Sequence, residues 1–155
     1  FGGHEFAGGF SVLNEKIHFL EEALLDSYNK VNRKIEKKDE EADIIGDLSL
    51  LSMKNWREIE KLAPFGLGNP KPVFLFPKIK IENIKKFGKN GSGEHLEITF
   101  SDMNKNKAKG ISFFSNNDSF DIPIIEEKSV DLLATFDLSR FRGEEELRLR
   151  IVDIL

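Results

Sequence analysis

Two groups of side chains in this 155-residue chain have the types and spacing to hold an anion or a base. The first is FGGHEFAGGF, residues 1–10, where four glycines surround His4 directly before a helical pattern. A glycine-rich backbone brings N–H groups close to an anion, and a helix N-terminus behind it adds partial positive charge. Gly2, Gly3 and His4 are therefore candidates for holding a phosphate. A tight turn, with His4 capping a strand or satisfied in a core, is the plainer reading of the same residues. The second group lies in two turns further on: Lys85, Lys86, Phe87, Lys89 and His95, then Arg140, Phe141 and Arg142. Basic side chains can track a phosphate backbone while neighbouring rings stack on bases. Phe87 and Phe141 are flanked by charge, with Gly88 and Gly143 close behind, and so are poor candidates for a deep core. Each could instead cap the open end of a barrel, with the lysines as ordinary solvated surface.

The remaining chemistry is sparse. His4, His18 and His95 are far apart and fall in no metal spacing, and His4-Glu5 opens like HExxH without the second histidine. The chain has no cysteine, which excludes disulfides and thiolate sites and suits a reducing compartment. There is no Walker-type phosphate loop and no GxSxG elbow. The runs Glu144-Glu145-Glu146 and Asp39-Glu40-Glu41 read as solvent-exposed charge. No catalytic or metal residue is expected in this chain.

The length allows one ordinary domain, or a small domain and part of another. With 39% hydrophobic and 32% charged residues the composition is that of a globular protein, and no apolar run reaches the ~18 residues of a membrane helix. The chain begins at Phe1 without a signal-peptide pattern, as a piece of a longer cytoplasmic protein would. The net charge of -4 argues globally against a nonspecific polyanion binder, but its distribution is uneven. Residues 71–109 hold nine lysines and four acids, while residues 110–147 hold three basic residues and nine acids. A basic stripe is all that a phosphate-tracking groove needs.

These residues must be positioned by two kinds of element. Ile17, Leu20, Leu24, Tyr28, Val31 and Ile35 recur at helical steps, predicting a helix from Ser11 or Asn14 to about Lys37 whose apolar face is core. A solvated loop follows to Asp43, then a short strand over 44–51 with Gly46 as a possible bulge. A short helix over 53–61 would bury Trp56 and Ile59. Residues 62–74, LAPFGLGNPKPVF, concentrate three of the five prolines and read as a connector. Beyond it the apolar period becomes two. Ile79, Ile81 and Ile84, then Leu96, Ile98 and Phe100, then Leu147, Leu149 and Ile151 mark half-buried strands, with two more over 109–114 and 130–138. Turns are expected over 88–93, 102–107 and 139–144, and a loop or short helical turn over 115–128. Five short antiparallel strands so interrupted fit an OB-fold, a small SH3-like barrel or a split sandwich.

The literal residues narrow the choice. LAPFGLGNPKPVF resembles the connector of RecJ-type single-strand-specific exonucleases, and FGGHEFAGGF resembles the GGHxxAAGF motif of DHH-associated domains, with Gly8 in place of the second alanine. KKFGKNGSGEHLEITF and FRGEEELRLRIVDI extend the likeness. The resemblance implies an α+β chain. Residues 1–61 would be the end of a helix-rich α/β DHH-associated domain, 62–74 a connector, and 75–155 a five-stranded antiparallel OB-fold barrel. It also implies that Gly2, Gly3 and His4 hold substrate phosphate, and that Lys86, Phe87, Lys89, His95, Arg140, Phe141 and Arg142 grip single-stranded DNA. The parent would be a 5′ to 3′ exonuclease of DNA repair and recombination, using manganese or magnesium held outside this chain. Two other readings share the pattern: an OB module that docks a partner such as a single-strand-binding protein, and part of a DHH-family phosphoesterase acting on short oligonucleotides or nucleotides.

Overall fold

The computed structural model describes residues 2–4, 7–30, 41–88, 95–141 and 143–155. It divides into two compact units, residues 1–38 and 39–155. In the first, β1 (Gly2–His4) pairs antiparallel with β2 (Ala7–Gly9), in the register Gly2↔Gly9, Gly3↔Gly8 and His4↔Ala7. The glycine-rich stretch is thus a small hairpin and not a turn running straight into a helix. A 3-10 turn over Asn14–Phe19 follows, with Leu13 at its N-cap and no side-chain cap, and leads into α1 (Leu20–Lys30). Neither Ser11 nor Asn14 serves as the expected cap, and the expected continuation to Lys37 lies outside the described residues. The apolar positions Ile17, Leu24 and Tyr28, expected in a core, are exposed.

The second unit starts earlier than the sequence expectation of residue 75. β3 is only Ile44–Ile45, followed by a 3-10 turn over Leu48–Leu50 and by α2 (Met53–Glu60), capped by Ser52 Oγ accepting from the Asn55 N–H. The expected strand over 44–51 is cut short because Leu48 turns into the core, where it is buried together with the barrel side chains. Gly46 is no bulge: a Cβ there would collide with Leu50 Cδ1, so glycine permits the close turn. Trp56 and Ile59 pack against the same core. Residues 44–60 therefore belong with the barrel and not, as expected, with the N-terminal unit. The 62–74 segment consequently connects two parts of one unit. It is braced internally, with Gly66 and Asn69 exchanging backbone hydrogen bonds of 2.9 and 3.1 Å and Asn69 Nδ2 donating to the carbonyls of Leu62 and Pro64.

Five further strands follow: β4 (Phe74–Phe87), β5 (His95–Ser101), β6 (Lys107–Phe113), β7 (Ser129–Phe141) and β8 (Glu144–Ile154). The sheet runs β3-β4-β5-β6-β8-β7, and a further β4–β7 pairing closes the last five into a ring. β6 and β8 run parallel, as do β3 and β4, so the sheet is mixed and six-stranded where an all-antiparallel five-stranded barrel was expected. The connection over 115–128 causes this: it delivers β7 to the first half of β4, and β8 must return beside β6. β4 serves both neighbours by bending at Pro77-Lys78, where Lys78 adopts φ 51° and its N–H donates to Asp131 Oδ1 at 2.7 Å. Proline is tolerated there because the ladder is already broken. Inside the barrel Phe76, Phe100, Ile81, Leu96, Ile98 and Leu149 are fully buried, and Gly110 faces inward, since a Cβ there would come within 2.7 Å of the Phe100 ring.

Candidate nucleic-acid interface

Strand alternation decides what the outer face of β5, β6 and β8 presents. With Leu96 and Ile98 pointing inward, His95 and Glu97 point out. With Ala108 and Gly110 inward, Lys109 and Phe113 point out, and with Leu149 inward, Arg148 and Arg150 do. Cross-strand register then aligns Phe87 of β4 with His95 of β5, and His95 with Phe113 of β6. The result is an aromatic row across three strands. Phe87 and His95 rings lie 5.1 Å apart, His95 and Phe113 5.1 Å apart in an edge-to-face contact, and Phe87 and Phe113 6.3 Å apart. The Arg150 guanidinium sits 4.1 Å from the Phe113 ring centre and that of Arg148 5.9 Å. An open groove of about 710 Å³ runs along this surface, lined by Phe87, Phe113, Lys109 and Arg148 together with the carboxylates of Glu97 and Glu144–Glu146.

The cations along the groove are held by carboxylates in turn. Lys109 Nζ donates to Glu146 Oε1 at 2.5 Å, Arg140 Nε to Glu145 at 2.9 Å and Arg148 Nε to Asp137 at 2.7 Å. The Glu146 hydrogen bond raises the Lys109 pKa against the opposing pull of burial, so the ammonium stays charged. Among the described residues no acid pairs with Arg150. In the Glu144–Glu146 run Glu144 and Glu145 are solvent-exposed as expected, and Glu145 and Glu146 also pair with Arg140 and Lys109. They neutralise side chains that would otherwise face a polyanion.

Of the expected site residues, Phe87 and His95 come together, and the exposed Lys86 precedes Phe87 in β4. Arg140 is not in a free loop: β7 and β8 stay paired through Phe141↔Glu144, so the expected turn over 139–144 is a tight hairpin and Arg140 is cross-strand partner to Glu145. Lys89 and Arg142, and the side chains of Phe141, Gly2, Gly3 and His4, lie outside the described residues. The sequence reading missed Phe113, Phe114, Lys109, Arg148 and Arg150. A signal for Phe113 existed, since it is an aromatic on the polar side of a period-two strand. Manganese or magnesium finds no donor set here: among the described residues no three His, Asp or Glu side chains cluster. Nor, among them, is any helix long and apolar enough to cross a membrane.

Comparison with known proteins agrees with this architecture. The single-stranded-DNA-specific exonuclease RecJ of Bacillus subtilis (strain 168) is 22% identical over 155 residues, covering 99% of this chain and 19% of that protein, so the chain spans about a fifth of its relative. The crystal structure of RecJ from Thermus thermophilus in complex with Mn2+ superposes with a TM-score of 0.52 at 22% identity, over 73% of this chain and 15% of that one, which reports likeness of fold. The same enzyme in complex with Mg2+ gives a TM-score of 0.49, covering 72% of this chain and 16% of that one. The model of the RecJ OB domain matches residues 42–153, which takes in β3, α2 and all of the barrel but the last residue of β8, and the chain belongs to that family.

Proposed function

We propose that this chain is the strand-gripping portion of a RecJ-like 5′ to 3′ single-strand-specific exonuclease, positioning DNA for a catalytic DHH domain outside it. The observation that carries the proposal is the row Phe87–His95–Phe113 flanked by Arg148 and Arg150: rings for bases beside cations for phosphates, on one exposed sheet face. Lys86, Lys89, Arg140, Phe141 and Arg142 contribute to the same grip. Residues 1–38 are the end of the DHH-associated domain, with Gly2, Gly3 and His4 holding substrate phosphate. The chain is inert alone, because phosphodiester hydrolysis by metal ions needs a carboxylate and histidine cluster that its described residues do not supply. The parent works in cytoplasmic DNA repair and recombination, with manganese or magnesium bound elsewhere. A second reading, docking of a partner such as a single-strand-binding protein, draws on the carboxylates that neutralise Lys109, Arg140 and Arg148.

Fluorescence anisotropy with labelled single-stranded oligonucleotides of increasing length separates the two. A grip on about three phosphates gives affinity that grows with length and falls with salt at a log–log slope of roughly -2. No binding at low salt would overturn the strand-gripping role. Affinity already complete on a dinucleotide would point to a phosphoesterase of short substrates.

A further inference from the structure

We infer that Phe114 is a stacking position for an unpaired nucleobase, and that His95 is the residue that positions it. The inference rests on the single-strand reading above and names a contact within it. Phe114 directly follows β6 and is 84% exposed. Its backbone lies at φ 53°, in the left-handed region that a bulky L-residue rarely adopts. Burial does not explain that conformation, because the side chain is in solvent. His95 holds it from two sides: the Phe114 N–H donates to His95 Nδ1 at 3.0 Å, and the two rings meet edge to face at 4.9 Å and 84°.

The rings of the row are half-buried against one another, whereas Phe114 is exposed. Phe87 leans on His95, His95 on Phe113, and Arg150 lies over the Phe113 ring. Phe114 meets the row through His95, its middle member, and keeps most of its own surface open. A ring fixed at both backbone and edge loses little freedom when a flat partner stacks on it, which is what a preorganised platform requires. Every base has a π-face, so the partner class is a base of single-stranded nucleic acid with little sequence preference.

The test uses the 155-residue chain and a single-stranded oligonucleotide carrying 2-aminopurine, whose fluorescence is quenched by stacking. Phe114→Ala should weaken binding by roughly five- to 150-fold, the effect of deleting one base–aromatic stack, and relieve the quenching. Phe114→Trp should retain both, whereas Phe114→Leu, which keeps apolar bulk without a ring, should behave like alanine. His95→Ala should lower affinity and quenching as Phe114→Ala does, and the double variant should add little to either alone. Thermal denaturation of each variant checks that the barrel persists. If the wild-type chain binds in a salt-dependent way while Phe114→Ala or Phe114→Leu matches it, the stacking position is wrong and the single-strand reading stands. If His95→Ala keeps wild-type quenching, His95 is not the positioning residue. If the wild-type chain does not bind at low salt, both fall together.

Discussion

Two short amphipathic helices in this chain meet different fates. In α2 the apolar side, Trp56 and Ile59, packs against the barrel core, and the segment is tied down by Leu48 in that core, by β3 beside β4 and by Asp102, whose Oδ2 accepts from the Leu48 N–H at 3.2 Å. In α1 the corresponding side, Leu24, Leu25 and Tyr28, is exposed. Helical spacing marks a face that needs covering; what covers it depends on elements distant in sequence. The longer and more regular apolar repeat belongs to the uncovered helix, so pattern strength did not rank the two by burial.

Truncating the buried leucine of the turn before α2 and an exposed leucine of α1 gives the sharpest contrast. Leu48→Ala should cost about 2–5 kcal/mol, as for a core leucine, whereas Leu24→Ala should change stability by about 0.5 kcal/mol or less. Urea denaturation followed by Trp56 fluorescence and by circular dichroism measures both. Equal losses would mean that the α1 face is buried as firmly as the turn that leads into α2.

Asp102→Ala tests the tether and should cost about 1–3 kcal/mol, since the Leu48 N–H and the Asn106 donors, at 2.9 and 2.8 Å, lose their acceptor. Burial alone would raise the Asp102 pKa, but hydrogen bonds from Asn106 and Leu48 outweigh it and hold the carboxyl below its ordinary 3.8. A depressed carboxylate stabilises the fold above its unfolded value and loses that contribution as pH falls through the folded one. The difference between wild type and Asp102→Ala should therefore be constant above about pH 5 and shrink below about pH 4. A difference unchanged at pH 3 would remove the carboxylate from the account.

Gly46→Ala should cost about 1 kcal/mol, because the new Cβ meets the Leu50 side chain, Cδ1 and Cγ, and no backbone. Denaturation midpoints decide it, and a loss as large as that of Leu48→Ala would show that the turn into Leu48 cannot relax. The smallest stability effect is expected on the outer face: Glu146→Gln should change stability by less than about 1 kcal/mol, since both partners of its ion pair are close to half exposed. The same variant frees Lys109 and should tighten single-stranded DNA binding in the anisotropy assay. Weaker binding would assign Glu146 a role other than neutralising that cation.

Much of the barrel was legible because a half-buried strand writes its orientation into alternate residues. Leu96-Ile98-Phe100 and Leu147-Leu149-Ile151 fall inside β5 and β8 as expected. The site was less legible. Phe87 and His95 were named from a charged, aromatic turn, and they do meet. Arg148 and Arg150 read as ordinary polar alternation, because nothing in their own strand says that β6 carries Phe113 beside them. The 139–144 stretch looked like a loop because Arg142-Gly143 and three glutamates are turn-like, yet the two strands pair up to Phe141↔Glu144.

By itself the sequence determined period, turn chemistry and the absence of cysteine, all of which act between near neighbours along the chain. Tertiary structure alone decided the parallel β6–β8 pairing, the capture of residues 44–60 by the barrel and the assembly of rings and arginines on one face. Those outcomes depend on which strand β7 joins after the 115–128 connection, and that choice is made by burying apolar area across the whole barrel at once.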